Sequence, residues 1–121
     1  MIVIYGLKNC DSCRKALKLV AAGGAAHRFH DLRADGLPPG RVQRWLAAVG
    51  WEALVNRRST TWRGLPEPEK AALLDGGAAA AVPLLEGHPT LIKRPVIEAG
   101  DKLIVGLAPP QQAELAALAR R

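Results

Sequence analysis

The sequence predicts a single α/β domain, and three observations predict it. A short, mostly β-branched run at residues 2–5 is closed by Gly6, a helical pattern follows it and stops at Gly23 and Gly24, and two apolar runs near the C-terminus flank a tight turn. Strand, helix and strand within about thirty residues make a βαβ unit with parallel strands and a right-handed crossover. The expected order is β-α-β, a block of helices, then β-β-α.

Each element has a local reason. Residues 2–5, Ile-Val-Ile-Tyr, read as a buried strand. Asn9 and Asp11 are helix-start signals. In the helix after them, Cys13, Ala16, Leu17, Val20 and Ala21 share one face, with Arg14, Lys15 and Lys18 on the other. Residues 27–32 read as a second strand. After Gly36, Leu37, Pro38 and Pro39, an apolar stripe of Val42, Trp45, Leu46 and Val49 marks a helix stopped by Gly50. A short helical piece at 51–55 precedes a polar stretch at 56–63. Pro66, Glu67, Pro68 and Glu69 put proline and acids in a first helical turn, and the alanine-rich stretch 78–85 is a further helix. Residues 91–98 return to strand character, 99–101 turn, and 102–107 pair back as a hairpin. Pro109 and Pro110 open a last helix carrying Ala113, Leu115, Leu118 and Ala119.

At 121 residues the chain is large enough to bury a core without covalent staples. It contains no apolar run of membrane-spanning length, and residues 1–5 lack the basic start of a secretory signal. Its two cysteines, Cys10 and Cys13, are too close together to staple the fold, which points to a reducing, cytoplasmic setting and to reactive thiols. The net charge of +6 favours anionic partners. Nucleic acid is a weak candidate among them, because aromatic residues are only 4% and the basic residues are dispersed.

Cys10-Asp11-Ser12-Cys13 is the most informative feature. A cysteine opening a helix faces unpaired backbone N–H groups and the positive end of the helix dipole, which stabilise its thiolate. Lys8 and Arg14 should help, Lys8 being also a candidate anion-binding residue, and Asp11 should oppose. Cys13 lies one turn on, where an i, i+3 pair approaches disulfide geometry. It also shares the apolar face, so a resolving thiol and a small core hydrophobe both remain open. Zinc is a poor fit, since a structural site takes about four ligands and only three histidines are available.

Four stretches resemble a known family: Tyr5-Gly6-Leu7-Lys8-Asn9-Cys10-Asp11-Ser12-Cys13-Arg14-Lys15-Ala16, Gly50-Trp51-Glu52-Ala53-Leu54, Arg58-Ser59-Thr60-Thr61-Trp62, and His88-Pro89-Thr90-Leu91-Ile92-Lys93-Arg94-Pro95. Their order and spacing resemble the ArsC/Spx family, closest to its YffB-type arsenate-reductase-like branch. The resemblance implies a thioredoxin-like fold with a mixed four-stranded sheet. It implies one domain over residues 1–121 with a helical insertion at about 38–87.

Carried over position by position, the resemblance makes Cys10 the catalytic nucleophile. Arg58 and Arg94 become anion-binding arginines, and Pro95 the proline that is cis in thioredoxin-like folds, a rare geometry. Two guanidinium forks beside a helix N-terminus would hold an oxyanion or a carboxylate. The implied activity is thiol-dependent reduction, with no bound cofactor, glutathione as co-substrate and glutaredoxin as a possible partner. Two features of the oxyanion-reducing members are absent: a third arginine after the last strand, where residues 103–108 hold none, and a histidine in the cysteine loop. Thiol reduction is therefore implied without naming arsenate as the substrate. The CxxC pair resembles the Spx branch, which gives an alternative: a redox-sensing regulator that binds the RNA polymerase α subunit. His27, His30 and His88 receive no catalytic role. Trp45 reads as core, and Trp51 and Trp62 as packing.

Overall fold

The computed structural model describes residues 1–120, and the chain divides into two compact units. The first combines Met1–Gly36 with the chain from Arg94 on; the second is Leu37–Lys93.

The first unit holds β1 (Ile2–Gly6), α1 (Asp11–Gly23), β2 (His27–Asp31), β3 (Val96–Ala99), β4 (Lys102–Val105) and α7 (Pro109–Ala119). Its four-stranded sheet has the order β2-β1-β3-β4, with β1 parallel to β2 and the β1–β3 and β3–β4 pairs antiparallel. This is the mixed sheet of a thioredoxin-like fold. Register explains its core. Phe29, Ile4, Ile97 and Ile104 stand in one row across all four strands. That face meets Ala16 and Val20 of α1 and Leu115 and Ala119 of α7, all fully buried. Small residues let the two helices approach closely: a Cβ on Gly23 would stand 2.5 Å from the Ala119 carbonyl oxygen. Helix α1 ends at Gly24, whose φ of 83° closes the last turn by donating its N–H to Val20 and Ala21 carbonyls. On the other face of the sheet, the buried Tyr5 hydroxyl donates to Glu98 Oε1 at 3.0 Å.

The second unit is helical: α2 (Arg41–Val49), α3 (Trp51–Leu54), α4 (Thr60–Arg63), α5 (Glu67–Gly76) and α6 (Ala78–Gly87), followed by a 3₁₀ turn at Pro89–Leu91. Trp45 is fully buried, with Val42, Leu54, Leu73, Leu85 and Leu91. Trp51 and Trp62 are half-buried beneath the Arg57 and Lys70 cations, at 5.4 and 5.6 Å from their ring centroids.

Two expectations change. The polar stretch 56–63 contains helix α4, because the Ser59 hydroxyl caps it by accepting the Trp62 N–H at 3.1 Å. Residues 91–98 are not one strand. Leu91 ends the 3₁₀ turn, Ile92 forms an isolated bridge with Val55, and β3 begins only after Pro95. Proline has no N–H to give a sheet ladder, which fits its place before the strand's first residue. Among the described residues, no helix is long and apolar enough to cross a membrane.

Candidate active site

β1 ends at Gly6, and a short loop, closed by the Cys10 N–H donating to the Leu7 carbonyl at 3.3 Å, leads into α1. Cys10 is the N-cap of α1, with extended backbone (φ −103°, ψ 123°), and its carbonyl accepts the Arg14 N–H at 3.0 Å. Asp11, the acid of the first turn, pairs with the Arg14 guanidinium, which also reaches the Lys8 carbonyl at 3.4 Å. The negative charge beside Cys10 is thereby matched by an adjacent positive one.

The antiparallel register brings a second group to this point. Tyr5 pairs with Val96, so the start of β3 lies against the end of β1. The two residues before β3 are joined by a cis peptide bond, Arg94–Pro95, and the Pro95 carbonyl accepts the Gly106 N–H at 2.9 Å. From there the half-buried Arg94 side chain hydrogen-bonds the Cys10 sulfur.

The half-buried Cys10 thiol sits below its ordinary pKa. Burial alone would raise it, but the Cys13 N–H and thiol, the Arg94 guanidinium and the Ser12 N–H together outweigh that. No full side-chain cap bond closes at Cys10, so the two backbone N–H groups act on the sulfur as a loose cradle.

Cys13 differs in every respect. It is 1% exposed, and burial pushes its thiol up to about 12. The Leu7 N–H and the Arg94 charge pull it down, while the hydrogen bond and charge of Cys10 push it up. Its sulfur rests where a side chain on Gly6 would otherwise stand. The pair therefore consists of an outer, ionisable sulfur and an inner, protonated one.

The remaining predicted residues divide clearly. Arg94 and Pro95 share the first unit with both cysteines. Lys8 is exposed, and its charge acts on Asp31. Arg58 belongs to the second unit, where it is exposed and its N–H donates to Asn56 Oδ1 at 3.2 Å. The histidines have structural contacts: His27 Nδ1 lies 2.9 Å from the Ala25 carbonyl, His30 Nε2 lies 2.7 Å from the Gly36 carbonyl, and His88 links α6 to the 3₁₀ turn.

Sequence reading missed Asp31. It is 7% exposed at the end of β2, directly opposite Gly6. Its Oδ1 accepts the Arg33 and Ala34 N–H groups at 2.8 and 3.0 Å, which lower its pKa against the cost of burial. The signal was present in Asp31-Leu32-Arg33-Ala34-Asp35-Gly36, an aspartate-led turn ending in glycine.

Known proteins share this architecture. A solved structure named YFFB protein superposes with a TM-score of 0.86 at 38% identity, covering 96% of this chain and 99% of that one. An arsenate reductase (ArsC) related protein from Brucella melitensis gives a TM-score of 0.70 at 40% identity, covering 93% and 92%. An uncharacterized protein of Haemophilus influenzae is 44% identical over 106 residues, 88% of this chain and 90% of that protein. The model of the ArsC family matches residues 5–115, and by that match and these relatives the chain belongs to the ArsC family.

Proposed function

We propose that this protein is a thiol-dependent oxidoreductase whose nucleophile is Cys10. The observation that carries the reading is the convergence of Arg94 and the α1 N-terminus on one half-exposed sulfur, which lowers its pKa. A thiolate at neutral pH is the form that attacks electrophiles. The electrophile is a disulfide, a glutathione mixed disulfide or an oxyanion. Arg94 binds the anionic part of that substrate beside Cys10; Arg58 is a second anion-binding arginine only by the family resemblance. Glutathione or a glutaredoxin then supplies reducing equivalents in the cytoplasm. The description of the Brucella melitensis relative as arsenate-reductase-related supports the class of chemistry.

The test is a panel of thiol-coupled assays, with arsenate and with glutathione mixed disulfides, on the wild type and Cys10→Ser. Activity on one substrate that vanishes in Cys10→Ser is expected; full activity in that variant would refute the role of Cys10.

The contact between the two thiols supports a second reading, a Spx-like redox switch that binds the RNA polymerase α subunit. Pull-down of the α C-terminal domain under oxidising and reducing conditions distinguishes it. Binding in neither state rules it out.

A further inference from the structure

We propose that the groove between α5 and α6 is a docking site for a basic amphipathic helical segment of a partner protein. This face belongs wholly to the helical unit and is independent of the chemistry at Cys10.

Composition sets the hairpin apart. Helix α6 begins Ala-Ala-Ala-Ala-Val-Pro-Leu-Leu and has no charged residue before Glu86. A helix that is apolar all round belongs in a core. Here Ala81 and Leu85 are buried, while Ala78, Ala79 and Pro83 are exposed. Near their connecting turn the two helices touch: a Cβ on Gly76 would stand 3.0 Å from the Ala80 Cβ. Away from the turn they part around a cleft of about 250 Å³, walled by Ala72 of α5 and by Ala80, Pro83, Leu84 and Gly87 of α6. Glu69 and His88 stand at its far end, in the first turn of α5 and at the C-cap of α6. Each helix has ten residues, a length of about 15 Å. A docked helix of about three turns matches that length, and its apolar stripe would fill the cleft.

Charge selects the occupant. Ala72 lies three residues from both Glu69 and Asp75, and Pro83 lies three from Glu86, the spacing of neighbours on a helix surface. Acids therefore flank the apolar walls on both helices. Residues 67–88 carry four acids and one base, Lys70, in a chain of net charge +6. Lys70 is already engaged: its side chain is 18% exposed, pairs with Glu67 at 3.6 Å and covers the Trp62 ring. The last turn of α6 holds no basic residue, so the negative end of the helix dipole adds to the rim near Gly87. A second copy of this chain fits poorly, because a two-fold axis would set like charges rim against rim. A helix with lysine or arginine beside an apolar stripe meets both demands. Its aliphatic stems cover the outer walls while its charged heads reach the acids. The basic remainder of the chain repels such a segment and steers it to this face.

Isotope-labelled full-length protein is titrated with a short synthetic helix that carries leucine along one stripe and lysine elsewhere. Amide shifts locate the binding, and anisotropy of the fluorescently tagged peptide measures it. A control peptide has glutamate at every lysine. Shifts centred on residues 69–88 are expected with the lysine peptide and none with the control. Glu69→Lys, Asp75→Lys and Glu86→Lys combined should weaken binding more than about tenfold. Ala72→Trp, which fills the cleft from an exposed position, should do the same with the rims intact. Circular dichroism checks the folding of both variants, and their cysteine alkylation rates should equal wild type. No binding of the lysine peptide, equal binding of the control, or binding that both variants leave intact would overturn the proposal. So would a dimer in sedimentation velocity that Ala72→Trp converts to monomer, since the groove would then belong to a second copy.

Discussion

Arg94, the residue that enters the cis bond to Pro95, hydrogen-bonds the sulfur of Cys10 at the start of α1. The two residues are 84 positions apart, from Cys10 to Arg94, and meet because β3 runs antiparallel to β1 with its first residue against the last turn-ward residues of that strand. Arg94 is therefore the charged group placed to decide how much of Cys10 is thiolate.

Replacing Arg94 with alanine should raise the Cys10 pKa and slow its alkylation at neutral pH. A hydrogen bond from a charged donor is worth about 1.5–3 kcal/mol, and solvent screening at a half-exposed sulfur trims this. The titration should move upward, toward the ordinary thiol range. Arg94→Lys keeps the charge and loses the fork, so it should fall between alanine and wild type. Iodoacetamide rates on a Cys13→Ala background, taken across pH, give the value directly. An unchanged titration in Arg94→Ala would show that the arginine does not act on the sulfur.

Cys13 gives the opposite sign of pH dependence. Its folded-state thiol is raised to about 12 from an ordinary value near 9. Between those values the folded protein holds a proton that the unfolded chain has lost. Stability should fall as pH rises through that window, by roughly 1 kcal/mol per pH unit. Cys10, lowered in the folded state, works below the window: its contribution is complete above the unfolded value and is lost as pH falls through the folded one. Urea midpoints for wild type should therefore drop between about pH 9 and about pH 11. Cys13→Ala should show a shallower drop, and equal slopes would contradict the raised value.

Much of this arrangement was legible in sequence, and the reasons for the rest are physical. The Cys10 N-cap followed from a strand, a stop at Gly6 and an amphipathic helix, all local signals. Cys13 was legible only as an ambiguity, because its helical face is the same for a core residue and a resolving thiol. The closeness of Arg94 to Cys10 depends on strand register, which local patterns do not encode; resemblance pointed to Arg94 where periodicity could not. The late start of β3 was hidden because Leu91 and Ile92 have strand character yet serve the helical unit. There the Lys93 N–H donates to the Leu54 carbonyl at 2.7 Å, and the Asn56 N–H to the Leu91 carbonyl at 2.8 Å. Asp31 was missed because aspartates in turns are usually exposed, whereas this one is paired with Gly6 at the end of β2 and buried.

The α1–α7 contact allows a test of the fold independent of the site. Alanine is a better helix former than glycine by about 1 kcal/mol, so Gly23→Ala should stabilise α1 if packing did not matter. Its Cβ would instead stand 2.5 Å from the Ala119 oxygen and 2.8 Å from the Ala119 Cβ. Overpacking of this kind costs about 1–3 kcal/mol. A lowered thermal midpoint is expected, with the cysteine alkylation rate unchanged in the folded protein. A raised midpoint would mean that α7 yields to the new methyl group.

The two arginines proposed to bind the substrate should separate in their effects. Arg94 acts on the Cys10 sulfur, whereas Arg58 lies in the helical unit with its backbone held by Asn56. If the Arg58 guanidinium contacts a substrate anion, Arg58→Ala should weaken the apparent affinity for an anionic substrate roughly tenfold to a hundredfold, the loss of one charge-assisted contact. It should leave the Cys10 titration where it was. Arg94→Ala should do both: weaken affinity and move the titration upward. Arg58→Lys keeps charge without the bidentate fork and should recover little of the loss. Steady-state kinetics on the best substrate of the assay panel, run beside alkylation–pH curves for each variant, separate the two roles. An Arg58→Ala protein with unaltered KM would remove Arg58 from the binding site and leave Arg94 as the anion-binding arginine.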